Sequence, residues 1–212
     1  MPRHDPIHLA VPFPGEAATA DRVGSPGPGA RARGAPAAPE DPVRLSDPAL
    51  VALVVREHHA YARRALPYLV ALLGKVTARH RGRNPKLAAL CDAGEELAEA
   101  LETCLEVQER ELFPALATGA PASEGLRREL DAMYRRQREM RLLLVRIRWL
   151  ADDFAAPAWG DRSYQVLMEE LEALEANLLE HIHLERVVLG PRLSSLCAGA
   201  PDPVAAEGTG TR

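Results

Sequence analysis

The chain of 212 residues can form one domain of ordinary size with terminal extensions, and its 47% of hydrophobic residues can fill a core. Aromatic residues are only 4% of the chain, so that core must consist mainly of leucine, valine and alanine, which is typical of packed helices. The net charge of -4 argues against a generally basic nucleic-acid-binding protein, and no apolar run reaches the roughly 18 residues of a membrane span.

The two ends of the chain differ in composition from its middle. Residues 1–45 contain nine Pro, five Gly and nine Ala without an apolar period, and residues 196–212 have a similar character. Such segments bury too little surface to offset the entropy of ordering. We therefore predict a disordered Pro/Ala/Gly-rich arm over 1–45, a folded domain over 46–195 and a disordered tail over 196–212.

Four segments of the middle region have the period of amphipathic helices, and no window alternates as a strand would. Ser46 is a good N-cap for the first helix, and Pro85 suits the first turn of the second. Ser123 and Ser163 are the predicted starts of the third and fourth, and Gly190-Pro191 is the predicted end of the fourth. The predicted helices span about 46–80, 84–114, 123–154 and 163–189.

Helices of similar length joined by short links predict an all-α fold, an antiparallel four-helix bundle. Residues 86–111 carry eight acidic and two basic side chains, a net charge of -6. Residues 163–187 carry six acidic side chains and one basic side chain, a net charge of -5. Residues 127–148 carry eight arginines and three acidic side chains, net +5. The third helix can therefore lie between two acidic neighbours. These neighbours would also screen the arginines from nucleic acid, the rival interpretation.

The three cysteines, Cys91, Cys104 and Cys197, form no CxxC motif, and their odd number favours reduced thiols. The first ten residues lack the charged-then-apolar order of a secretory signal. We expect a cytoplasmic protein that binds neither nucleic acid nor membrane.

Every predicted helix places at least one polar side chain on its apolar stripe when residues are set at steps of 100°. A buried polar group costs about 1–3 kcal/mol unless it is paired, so these groups should meet in the core. A His and a Glu four residues apart can offer a nitrogen and a carboxylate to one metal ion, but a hydrogen-bonded network without metal remains an alternative. The inward residues are His58 with His59 at the stripe's edge, Gln108 with Cys104 at the edge, Gln137, and His181 with Glu185.

Three motifs resemble one known family. They are HHAYARRALP from His58, followed by KVTARH; ERELFP from Glu109; and HIHLERVVLGPR from His181. The first is similar to the first helix of hemerythrin-like (HHE cation-binding) proteins, the second to their KEExxLFP ending, and the third to their HIxLENNxLFPR signature. The resemblance covers about residues 47–195 and is closest to the di-iron iron–sulfur cluster repair branch. That branch has a small N-terminal domain with paired cysteines, where this sequence has its Pro/Ala/Gly arm.

The resemblance implies a metal site in which half of the six expected ligands are replaced. His59, His181 and Glu185 correspond to ligands that are intact, with His58 kept as the alternative because periodicity selects it. Three further positions are changed: Cys104 and Gln108 stand where the family has His-x-x-x-Glu, and Gln137 stands where it has His.

His80 matches another histidine common in the family. It lies 21 residues after His59, about 31 Å along a straight helix, and cannot share the site unless the helix breaks near Gly74. We expect it to lie at the helix C-terminus instead.

The resemblance implies a non-haem iron protein that acts in oxygen or nitric-oxide stress or in iron–sulfur cluster repair and binds a metal ion and a small diatomic gas. The replacements predict at most one tight ion, iron or alternatively zinc, to which Cys104 could add a thiolate. The second hypothesis is a metal-free relative that serves as a structural or protein-interaction module, with a protein partner or as a homodimer. An enzyme with Cys104 as nucleophile and His181 as base has no visible oxyanion-stabilising group, so we assign no catalytic residue.

Overall fold

The computed structural model describes residues 41–121 and 123–198. Over these residues the chain is helical apart from short turns, and none of them lies in a strand, which confirms the predicted all-α fold. No helix in this part of the chain is long and apolar enough to cross a bilayer. The α-helices are α1 (Asp47–Val54), α2 (Ala60–His80), α3 (Lys86–Val107), α4 (Phe113–Thr118), α5 (Glu124–Leu150), α6 (Arg162–Leu184) and α7 (Gly190–Ala198).

Three π-helical turns join these segments into four long bundle helices. They are Val55–His59 between α1 and α2, Gln108–Leu112 between α3 and α4, and Glu185–Leu189 between α6 and α7. The bundle helices therefore cover 47–80, 86–118, 124–150 and 162–198, and each runs antiparallel to the next. The second packs against the first and the third, and the first packs against the fourth, so the predicted four-helix bundle is confirmed.

Side-chain caps start the third and fourth bundle helices. Ser123 Oγ accepts a hydrogen bond from the Leu126 amide at 3.1 Å, as its N-cap position predicts. The fourth helix begins at Arg162 because Asp161, rather than Ser163, is its cap: Asp161 Oδ1 accepts from the Tyr164 amide at 3.1 Å.

Two predicted helix ends come too early, and a third comes too late: the third bundle helix ends at Leu150 instead of near 154. The second bundle helix passes through Pro114 and ends at Gly119, whose φ of 62° supplies the left-handed C-cap. The fourth passes through Gly190-Pro191 to Ala198. In both cases a π turn comes just before, so the proline lies in the first turn of a new α-helical segment, where its missing amide hydrogen is tolerated. The first helix is unbroken at Gly74, and His80 ends it.

The folded region also begins earlier than position 46. A 3₁₀ turn, Pro42–Arg44, precedes the first helix and is held by Arg192 of α7. The Arg192 guanidinium donates to the carbonyl oxygens of Leu45 at 2.7 Å and Val43 at 2.8 Å. Residues 41–45 therefore contact the bundle. The prediction for the rest of the arm, and that for the tail beyond Ala198, lie outside the described residues.

Hydrophobic side chains, most of them leucine, form two buried clusters along the bundle. The larger lies among α2, α3, α5 and α6, and the smaller among α1, α4, α7 and the first half of α5. Cys104 and Met140 belong to the first cluster, whereas Leu112 and Met133 belong to the second. A layer of buried polar residues separates the two, and the π turns lie at that level.

Two helical glycines should respond oppositely to alanine. A Cβ at Gly190 would overlap Tyr134 Oη and lie 3.0 Å from the Glu185 carbonyl oxygen, whereas a Cβ at Gly74 would meet nothing within 4 Å. We expect Gly190→Ala to destabilise the protein by about 1–3 kcal/mol through overpacking. Gly74→Ala, the matched control, should stabilise it by about 0.5–1 kcal/mol by reducing the entropy of the unfolded chain. Thermal unfolding measures both, and a rise in midpoint for Gly190→Ala would contradict the close packing.

Candidate metal centre

Three of the predicted ligands converge in the polar layer. The ligand atoms of His59, His181 and Glu185 all lie within 4.8 Å of one another, and all three side chains are buried. His181 Nε2 lies 3.0 Å from Glu185 Oε1 without the alignment of a hydrogen bond. His59 comes from the first bundle helix and the other two from the fourth, so the site joins two helices that are far apart in sequence.

The π turns set the direction of three inward side chains. His59 is the last residue of its turn, while Gln108 and Glu185 are the first residues of theirs. A π turn holds about one residue more than an α turn and so shifts the helical register. This shift explains why a constant step of 100° selects His58, whereas the ring that joins the cluster belongs to His59.

Several polar atoms of the layer are buried without a hydrogen-bond partner. Such an atom costs on the order of 1–3 kcal/mol, and two imidazole nitrogens with a carboxylate oxygen form a donor set that suits a divalent transition metal. The residues present therefore fit a metal ion. The unpartnered atoms here are His59 Nε2, His181 Nε2, Glu185 Oε1, Gln108 Oε1 and Gln137 Oε1.

Gln137 binds one oxygen of the central carboxylate. Its Nε2 donates to Glu185 Oε2 at 2.8 Å, which leaves Oε1 on the side of His181. A carboxylate that bridges two metal ions uses both of its oxygens. Because the Gln137 amide donates to Oε2, only Oε1 of this carboxylate is left without a hydrogen-bond partner.

Cys104 and Gln108, the two replaced residues of the second bundle helix, are hydrogen-bonded to each other. Gln108 Nε2 donates to Cys104 Sγ at 3.4 Å, and both side chains are buried. Burial, together with the charge of Glu185, raises the pKa of the Cys104 thiol to about 12, so the group is neutral. Cys104 is not a member of the converging group of ligand atoms.

His58 packs against His181, beside the three converging side chains. Its ring stacks on His181 with centroids 5.2 Å apart and planes 7° from parallel, and its Nδ1 lies 3.4 Å from Asn177 Oδ1. Burial and the nearby His181 lower the pKa of His58, which favours the neutral ring. His58 therefore packs against a candidate ligand and does not join the converging atoms.

Sequence reasoning missed Glu109 as a contact of the site. Its Oε1 lies 2.7 Å from His59 Nδ1, and its two oxygens accept from the Arg63 guanidinium at 2.7 and 3.1 Å. The only available signal was its place in ERELFP, next to Gln108. Periodicity directs Glu109 toward solvent, and its side chain is indeed 31% exposed.

Burial and charge favour the metal-binding protonation state in two of the three converging groups, His59 and Glu185. Burial and the neighbouring His181 lower the pKa of His59 from 6.5 to about 4, so its ring is neutral near pH 7. For Glu185, burial raises the pKa, but His181 and the hydrogen bond from Gln137 outweigh it, and the net shift is downward. An ionised carboxylate beside a neutral imidazole is the form that binds a metal.

Comparison with known proteins agrees with these features. Residues 52–193 match the family described as the hemerythrin HHE cation binding domain. The chain belongs to this family. It is also 30% identical over 145 residues to the iron-sulfur cluster repair protein YtfE of Edwardsiella ictaluri (strain 93-146), a match that covers 68% of this chain and 64% of the relative's length. The resemblance stated from the three motifs is therefore confirmed.

The candidate ligands of this HHE domain fall into three groups. His59, His181 and Glu185 converge, and Gln108 and Gln137 contribute unpartnered carbonyl oxygens to the same layer. His58 and Cys104 have other partners. His80 lies apart from the site, packed against Trp159 and Tyr164, with its Nε2 3.3 Å from Asp161 Oδ2.

The lowered pKa of His59 predicts that the metal-free protein loses stability in mild acid. Between pH 6.5 and about 4 the unfolded chain binds a proton at this ring that the folded chain does not, so the free energy of unfolding falls as the pH is lowered. The loss attributable to His59 is up to about 3 kcal/mol. Urea unfolding in chelator measures it. His59→Gln should flatten the dependence over this range and His183→Gln, at an exposed position, should not; identical profiles for the parent and His59→Gln would contradict the assignment.

Proposed function

We propose that this HHE-family bundle binds a single divalent transition-metal ion through His59, His181 and Glu185. The observation that supports it is the convergence of three buried ligand atoms that lack hydrogen-bond partners. A cation would satisfy all three at once, whereas hydrogen bonds within the cluster leave them unpaired. The family's description as a cation binding domain agrees with this chemistry.

The neighbouring residues favour one ion over two. Gln137 occupies the second oxygen of Glu185, and Gln108 is bonded to Cys104. All three replaced positions carry neutral groups, because the amides have no charge and the thiol is protonated. A second divalent ion would then lack the negative charge that a second bridging carboxylate provides. The leucine clusters on both sides of the layer exclude water and strengthen the electrostatic contribution of Glu185.

We infer that the ion is iron in the cell, with zinc as the alternative. Two histidines and one carboxylate are the ligand set typical of non-haem ferrous sites that keep open coordination positions. A small diatomic gas could bind the iron at such a position. The chain's own residues hold the ion, keep the His59 ring neutral near pH 7 and shield the site from solvent. We place this activity in the cytoplasm, since the three cysteines are free thiols. We also infer a role in iron–sulfur cluster repair, the function for which the YtfE relative is named. Action in oxygen or nitric-oxide stress follows from the resemblance to the hemerythrin-like family.

One observation favours the second hypothesis, a protein-interaction module. Leu142, Val145 and Trp149 form an exposed stripe on α5, and each is 65–67% exposed. Their spacing of three and four residues puts them on one face of the helix. A metal-free relative could use this stripe to contact a protein partner or a second copy of the chain.

Metal content separates the two hypotheses. We expect anaerobic loading with ferrous iron, followed by desalting, to leave no more than one tight ion per chain and to raise the unfolding midpoint by linkage. His181→Gln should lose the ion because it removes one of three ligands, while His183→Gln is the matched exposed control on the same helix. Two irons per chain would contradict the one-ion site, and the absence of iron, cobalt and zinc binding would favour the interaction module.

A triple variant tests whether the replaced residues occupy ligand positions. Cys104→His, Gln108→Glu and Gln137→His together should create a second metal position, because each puts a metal-binding group on a buried, inward position. Without metal the variant should be less stable than the parent, since it buries a further carboxylate and two imidazoles. Ferrous iron should restore that stability, and air should then produce near-ultraviolet bands of an oxo-bridged ferric pair that the parent lacks. A folded variant with no more iron than the parent would show that these positions do not face the metal.

A further inference from the structure

Glu109 links a buried candidate ligand to an exposed arginine. Its carboxylate contacts His59 Nδ1 on one side and accepts two hydrogen bonds from Arg63 on the other. His59 is fully buried, while the Arg63 side chain is 45% exposed. The contact also joins two helices at their π turns, because His59 ends the first of these turns and Glu109 is the second residue of the next.

The partner of one ring nitrogen decides what the other nitrogen can do. An ionised carboxylate only accepts hydrogen bonds, so the His59 ring must donate from Nδ1. In a neutral ring the proton on Nδ1 leaves a lone pair on Nε2, which is buried and unpartnered, and this ring converges with Glu185 and His181. A ligating histidine generally needs such an outer partner to fix its tautomer and orientation.

The surroundings of the ring leave Glu109 as its polar anchor. Phe113 stacks on one side of His59 with centroids 5.3 Å apart, and His181 meets it edge-on at 5.0 Å. These contacts restrict the ring plane, but they do not select which nitrogen carries the proton. Arg63 donates to both oxygens of Glu109 as a bidentate pair, which holds the carboxylate in place beside Nδ1.

We propose that Glu109, held by Arg63, is a positioning residue that fixes the tautomer and orientation of His59 so that Nε2 presents its lone pair to the ion. Glu109 itself does not touch the metal. The expected effect of Glu109 on metal affinity rests on the proposed function. The effect on the His59 tautomer holds in the metal-free protein as well, so the two ideas can fail separately.

The first measurement uses the full-length, metal-free protein. Long-range ¹H–¹⁵N correlation spectra distinguish the two neutral tautomers, and His59→Gln identifies the signals of His59. We expect the parent to hold the Nδ1–H form and Glu109→Ala to shift His59 toward the Nε2–H form or a mixture. Glu109→Gln should largely restore the Nδ1–H form, because its amide oxygen can still accept the hydrogen bond.

The second measurement is titration with Co²⁺, read by its visible absorption. Loss of an outer partner of this kind weakens metal binding by about 10- to 100-fold, which is the effect expected for Glu109→Ala. Glu109→Gln should weaken it less, since the acceptor remains while the pairing with Arg63 is lost. Glu106→Gln is the matched control: Glu106 is exposed, lies one turn earlier on the same helix and has the same charge, and it should leave the affinity unchanged.

The outcomes separate the two proposals. A parent that binds no Co²⁺ overturns the proposed metal site, while the tautomer spectra still decide the role of Glu109. A parent that binds Co²⁺ while Glu109→Ala keeps both the parent's affinity and the Nδ1–H form overturns the positioning role. If Glu109→Ala does not fold, Glu109→Gln decides: an affinity equal to that of Glu106→Gln contradicts the contribution of the charged pair.

Discussion

The buried carboxylate of Glu185 is the constraint to which the rest of the site responds. An ionised group in a leucine core costs several kcal/mol unless charge and hydrogen bonds compensate it. Gln137 donates to one of its oxygens, and His181 lies beside the other. The bundle therefore keeps a polar layer across its middle, and its apolar core is divided into two clusters instead of one.

The order of the helices around this layer agrees with their charges. Arg146 of α5 pairs with Glu96 of α3 at 3.2 Å, and Arg148 of α5 pairs with Glu175 of α6. The basic third bundle helix thus contacts an acidic helix on each side. The first pair is exposed and adds little, but Glu175 is buried, so its loss of solvent must be offset by the arginine.

Sequence alone could predict the features that repeat along a helix. Leucine spacing located four helices and their inward polar residues, because burial in a bundle follows the helical period. It failed where the period changes: the π turns moved His59 rather than His58 into the cluster and allowed Pro114 and Gly190 to lie within continuing helices. Glu109 could not be found in this way, since its contact with His59 spans 50 residues and its own helix directs it toward solvent. The motifs were enough to assign the family. The hydrogen bond from Gln137 to one oxygen of Glu185 is visible only in the structure.

The three π turns make the site sensitive to chain length as well as to residue type. Each turn holds one residue beyond a regular α-helix, and three of the four bundle helices place theirs at the same level. Removing one residue from such a turn would return it to a regular α turn, so the segments on either side would keep their faces while the side chains within the turn itself changed direction. The helix could survive as a helix while its polar side chain left the layer. In a bundle of this kind, single-residue deletions can therefore erase a metal site that contains every original ligand.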